Sequence, residues 1–124
     1  MRIAVSASEP TLDAEVDPRF GRCAYFIIID TDSMKFEAVK NSGAFARGGA
    51  GTTTAQMVVD KNTEVVVTGN CGPNAFQVLS AAGVRVITGV YGKVRDTVQA
   101  YKDGQLQPAA QPSVPGHFGM WSGR

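Results

Sequence analysis

Imidazole and thiol are both scarce in this chain. Its 124 residues contain one histidine, His117, and two cysteines, Cys23 and Cys71. A single histidine excludes any site that needs several imidazoles from one chain. That histidine lies near the C-terminal end, so no Ser/His/Asp set is suggested. No Cys-x-x-Cys occurs, which argues against thioredoxin-like redox chemistry. The two cysteines are far apart in sequence, and in a reducing compartment they read as free thiols or ligands rather than a structural disulfide. Excess charge is also lacking. Twelve Lys and Arg face eleven Asp and Glu, a net charge of +1. That balance gives no reason to expect nucleic acid or a membrane surface as the main partner. No apolar run is long enough to cross a bilayer. Met1–Ser6 enters a strand pattern without an apolar signal core, so a cytoplasmic location is expected.

What the chain does have is regular apolar patterning. Its 44% hydrophobic content suffices for the core of one domain. Ile3-Ala4-Val5 reads as a first strand, and it carries no acidic residue, which weakens a two-metal nuclease reading. A polar stretch, Ser6 to Arg22, follows. Tyr25–Asp30 is a second strand, apolar on both faces. Asp32-Ser33 marks a turn, and Lys35–Lys40 alternates to complete a hairpin. Thr52, Thr53 and Thr54 offer N-caps for a helix carrying Ala55, Met57, Val58 and Val59. Val65-Val66-Val67 is a buried strand. Pro73 suits the first turn of a second helix and Gly83 its C-terminal stop. That helix has Ala75, Phe76, Leu79 and Ala82 on one face. Val84–Ile87 is a fifth strand. Val94, Val98 and Tyr101 mark a third helix ending near Gly104. Residues 105–124 are rich in Gln, Pro and Gly and read as a flexible tail.

The order β-β-β-α-β-α-β-α predicts an α/β sandwich on a mixed five-stranded sheet, with the first strand between the second and the fourth. With strands one, four and five parallel, their carboxyl ends share one rim, where open α/β sheets bind ligands. The start of strand two, with Cys23, falls on the same rim. Cys23 and Cys71 then lie about two strand spacings apart, roughly 10 Å, too far for a disulfide without movement.

The chemistry-bearing residues gather in the loops of that rim. Thr68-Gly69-Asn70-Cys71-Gly72-Pro73-Asn74 hands a buried strand to a helix. Free N–H groups and the helix dipole at such a start favour an anion and bias a thiol toward thiolate. Cys71 is therefore a candidate soft-metal ligand, or else a small buried thiol packing under the turn. Cys23 is a second candidate ligand, or a core filler ahead of strand two. Asp17-Pro18-Arg19-Phe20-Gly21-Arg22 sets two arginine forks in a loop. They can bind a multi-oxygen or multi-sulfur anion, or form a structural Arg–Asp pair. Gly48-Gly49-Ala50-Gly51 can act as an anion nest or a plain flexible loop. It matches neither phosphate-binding glycine fingerprint. His117 is either a ligand brought over the site by the tail or an ordinary tail histidine.

Asp17–Arg22, Gly48–Gly51 and Thr68–Phe76 occur in that order, followed by Ala82-Gly83-Val84 and Tyr91-Gly92. In these motifs, over about residues 1–104, the chain resembles the dinitrogenase iron-molybdenum cofactor biosynthesis family. That family includes small cofactor carriers and the orange protein, which holds a molybdenum–copper sulfide cluster. The resemblance implies a ribonuclease H-like three-layer sandwich over 1–104. It implies binding or delivery of a metal–sulfur cluster (Fe/Mo or Mo/Cu sulfide) without catalysis, with cluster donor and recipient proteins as partners. Cys71, Cys23 and His117 would then be the metal candidates. Arg19, Arg22, Gly48, Gly49, Gly51, Asn70, Gly72 and Asn74 would hold the rest of the cluster. The alternative is a non-enzymatic regulatory module binding a small anion or nucleotide at the same rim.

Overall fold

The computed structural model describes residues 1–44 and 49–113. Gly48 and His117, both site candidates, lie outside the described residues. Five strands and three helices follow one another as β1 (Arg2–Ala7), β2 (Tyr25–Asp30), β3 (Phe36–Lys40), α1 (Ala50–Asp60), β4 (Val65–Val67), α2 (Pro73–Ala81), β5 (Arg85–Ile87) and α3 (Val94–Lys102). The strands form one mixed sheet in the order β3-β2-β1-β4-β5. β1 pairs antiparallel with β2 and parallel with β4, and β4 pairs parallel with β5.

Alternation along the strands builds two cores. Ile3, Val5, Ile27, Ile29, Val65 and Val67 face one side, where Val94 and Val98 of α3 cover them. Ala4, Phe26, Ile28, Val66 and Val86 face the other, under Ala55 and Val58 of α1 and Ala75 and Leu79 of α2. β2 is apolar on both faces because both faces are covered. Leu79 has no exposed surface. Leu79→Ala should cost about 3 kcal/mol, the lost transfer energy plus the cavity left behind. Urea unfolding checks this: the midpoint falls while the slope stays constant.

Two local expectations need correction. The threonines do not cap α1. Gly49 is the N-cap, at φ 71°, and the helix begins at Ala50. The glycine reaches a left-handed turn that a threonine would resist, so the helix starts before the threonine run. Thr54 is instead a buried tie, its hydroxyl bonding the Gly21 carbonyl at 3.1 Å and Asn41 Oδ1 at 3.0 Å. On α2, Ala82 is the C-cap and exposed, and Ala75 and Leu79 are the fully buried positions.

The polar stretch after β1 is firmly placed. Asp17 N–H donates to the Ser6 carbonyl and Val16 N–H to the Gly92 carbonyl, each at 2.8 Å. Phe20 is buried edge-on to Phe26, with ring centroids 5.3 Å apart. Residues 105–113 are also tied to the body. Ala109 N–H donates to the Val86 carbonyl of edge strand β5 at 2.7 Å. Ser113 meets the main chain of Cys71 through both its amide and its hydroxyl, and the hydroxyl also donates to the Cys71 carbonyl at 3.4 Å. The Cys71 N–H donates to Ser113 Oγ at 2.8 Å, and the Ser113 N–H donates to the Cys71 carbonyl at 3.1 Å.

Candidate anion cleft between two helix starts

The rim at the carboxyl ends of β1 and β4 holds a cleft of about 410 Å³. Three segments make its walls: the loop through Pro18–Gly21, the start of α1, and the start of α2. Each wall has a local cause. Glycine N-caps at Gly49 and Gly72 begin both helices, and neither supplies a side-chain cap. The first intrahelical bonds are Thr53 N–H to Gly49 and Phe76 N–H to Gly72. The amides of Ala50, Gly51 and Thr52, and those of Asn74 and Ala75, therefore have no partner within their helices. Both dipoles add partial positive charge at the same cleft.

Missing side chains let these walls meet. A Cβ on Gly21 would stand 3.1 Å from the Gly51 nitrogen, and one on Gly51 would stand 3.3 Å from the Ala75 Cβ. The Pro18–Phe20 segment is stitched to the turn before α2. Asn70 N–H donates to the Pro18 carbonyl at 2.8 Å, and Phe20 N–H donates to the Asn70 carbonyl at 3.2 Å.

Arg19 supplies a full charge. Its side chain is 66% exposed, while that of its partner Asp17 is 9% exposed. Arg19 Nε lies 3.3 Å from Asp17 Oδ1, and Asp17 Oδ1 also accepts the Arg19 amide at 2.9 Å. The Asp17 carboxylate raises the Arg19 pKa, through the hydrogen bond and then the charge. The structural Arg–Asp pair and the anion site, posed as alternatives, are thus compatible. Asp17 orients the arginine at the cleft wall.

Of the sequence-predicted residues, Arg19, Gly49, Gly51, Asn70, Gly72 and Asn74 line this one cleft. Arg22 does not. It lines a separate recess and donates from Nη1 to the Ala44 carbonyl at 2.7 Å. Sequence reasoning missed Gly21, Thr52 and Ala75 as cleft residues. Their signal was their place in the quoted motifs, within or one residue beyond a helix start or tight loop.

The cysteines depart from expectation. Cys71 is 1% exposed and Cys23 fully covered, both in the core beneath α1 and α2, and neither lines the cleft. Burial pushes the Cys71 thiol up to about 12. Burial, and then the Asp17 charge, push Cys23 up to about 12 as well. The thiolate bias expected for Cys71 is overturned because desolvation outweighs the helix-start field once the side chain turns inward. Among the described residues no three His, Cys, Asp or Glu side chains group to hold a metal ion.

A pH window follows. The unfolded chain releases its thiol protons from about pH 9, whereas the folded chain keeps them until about 12. The thiol contribution to stability is complete below pH 9 and is lost between 9 and 12. At pH 8 the folded protein should alkylate on the order of 100-fold more slowly than the unfolded chain. Iodoacetamide labelling across a urea series measures this. Equal rates in both states would refute the buried-thiol geometry.

A family model described as dinitrogenase iron-molybdenum cofactor matches residues 1–104. The chain belongs to that family. The orange protein from Desulfovibrio gigas, solved in its apo form, is 44% identical over 90% of this chain and 94% of its own, with a TM-score of 0.88. A solution structure of a Thermotoga protein provisionally assigned as NifB is 37% identical. It covers 86% of this chain and 91% of its own, with a TM-score of 0.75. An uncharacterised protein of Methanocaldococcus jannaschii is 24% identical over 86% of this chain and 90% of its own length. The matched span of the family contains every wall of the cleft.

Proposed function

We propose that this family member binds and carries an anionic metal–sulfur cluster, an Fe/Mo or Mo/Cu sulfide, and performs no catalysis on it. One observation carries the reading: two helix starts without side-chain caps, together with Arg19, face a single cleft of about 410 Å³. The chemistry fits a cargo that brings its own sulfides. Backbone N–H groups and a guanidinium stabilise a multi-sulfur anion from outside its coordination sphere. Both thiols are buried in the core and neither lines the cleft, so Cys71 and Cys23 act first as packing beneath the floor. They reach a metal only if the floor opens. Arg22 is set aside as a cleft residue.

Family membership and the likeness to the orange protein support cluster handling. They also favour the ribonuclease H-like label for this sandwich. Among the described residues no helix is long and apolar enough to cross a membrane. In our reading the carrier works in the cytoplasm between a cluster donor and a recipient. Few direct bonds to the cargo make hand-over easy.

Anaerobic reconstitution tests the proposal. The apo protein is given molybdate, copper and sulfide, or iron, molybdate and sulfide. Metal content and visible spectra are read after desalting. Stoichiometric uptake that survives Cys71→Ser supports an anion cleft, and uptake abolished by that change restores Cys71 as a ligand. Negligible uptake by the wild type under every condition would sink the carrier reading.

A further inference from the structure

Arg22 leads to a second site. It lines a recess of about 510 Å³ with Arg19, Lys40, Tyr25, Ser8 and Asp17. Among the described residues that is three cations against one carboxylate, in a chain whose net charge is only +1. The one carboxylate, Asp17, is already engaged with Arg19. Lys40 sits opposite Tyr25 in the β2–β3 ladder, so the two side chains share a face of the sheet. Lys40 has no carboxylate within ion-pair distance among the described residues. The Tyr25 hydroxyl adds a donor, and that of Ser8 can join it by leaving the Glu15 carbonyl, which it meets at a long 3.4 Å. Arg19 alone lines both the recess and the cleft.

We propose that this recess is a second anion site, one that takes the phosphate group of a small phosphomonoester and antagonises the cleft through Arg19. The recess is larger than a phosphate group needs, and it leaves room for an organic body over the Tyr25 ring and the alanines Ala24 and Ala44. Guanidinium and ammonium groups suit a phosphate dianion. A dianion there competes with the cleft for the field of Arg19, so each ligand weakens the other by the same factor. The antagonism rests on the carrier reading; the recess itself does not. It gives a carrier a chemical signal for release.

The test uses the apo protein at fixed ionic strength, titrated with adenosine monophosphate, inorganic phosphate and uncharged adenosine. Backbone amide shifts are followed by NMR. Saturable shifts at Ser8, Tyr25 and Lys40 are expected with the monophosphate, weaker ones with phosphate, and none with adenosine. Lys40→Gln should weaken monophosphate binding about tenfold, the effect of one charge-assisted contact, with thermal unfolding unchanged. Three results would overturn the site: no saturation by about 10 mM, equal binding by Lys40→Gln, or shifts confined to Gly49–Thr52 and Gly72–Ala75. Cluster uptake repeated with saturating monophosphate should fall severalfold. Unchanged uptake would overturn the antagonism and leave the recess standing. Absent uptake with intact monophosphate binding would fault the carrier reading alone.

Discussion

Arg19→Gln should weaken cluster binding about tenfold. A hydrogen bond to a charged group contributes roughly 1.5–3 kcal/mol, and 1.4 kcal/mol is tenfold in affinity. Solvent screening pulls the effect toward the low end, because the side chain is 66% exposed. Folding should change by less than about 1 kcal/mol. Asp17 would still accept the amide N–H of residue 19 at 2.9 Å, so its buried carboxylate is not orphaned. Arg19→Lys should recover part of the loss as a point charge without the fork. Competition for cluster between wild type and variant, read by metal content, decides the matter. Equal affinity would mean that the helix starts act alone.

Gly69→Ala should be the most damaging glycine-to-alanine change among the described residues. The new Cβ would stand 2.6 Å from the Pro18 Cα and 3.1 Å from the Pro18 carbonyl oxygen. Neither atom belongs to a flexible side chain that can swing aside. Overpacking of this kind costs about 2–3 kcal/mol. It also pushes the Pro18–Phe20 segment off Asn70, so cluster uptake should fall with stability. Gly49→Ala is the contrast. Its Cβ would meet nothing within 4 Å, but φ is 71°. It should cost only about 1 kcal/mol, from backbone strain alone. Urea unfolding of the two variants separates contact from conformation. A Gly69→Ala protein as stable as Gly49→Ala would show that the loop yields freely.

The strands were legible because each carries a clear apolar pattern. β2 and β4 read as buried on both faces, and they are. The rim was legible through topology, since parallel strands fix which loops share an end. Side-chain direction was not legible. Cys71 stands beside a helix start as expected, but its thiol joins the buried core that also holds Phe20, Leu79 and Val66, a matter of tertiary packing. Arg22 and Arg19 are three positions apart and share the recess, yet only Arg19 reaches the cleft, because the chain turns at Gly21 against α1. The threonine run read as a cap signal because capping is a local rule. A glycine one turn earlier, with access to positive φ, took precedence. Ser113 carried no signal at all. Its partner lies 42 residues away in the chain.

That last contact bears on what a truncation would expose. Ala109 bonds the edge of β5, and Ser113 fastens the turn that begins α2, yet both lie beyond α3, outside the strands and helices that build the sandwich. Without them, β5 shows a barer strand edge, the kind that pairs with other chains. A chain cut short before Ala109 should therefore be sticky before it is inactive.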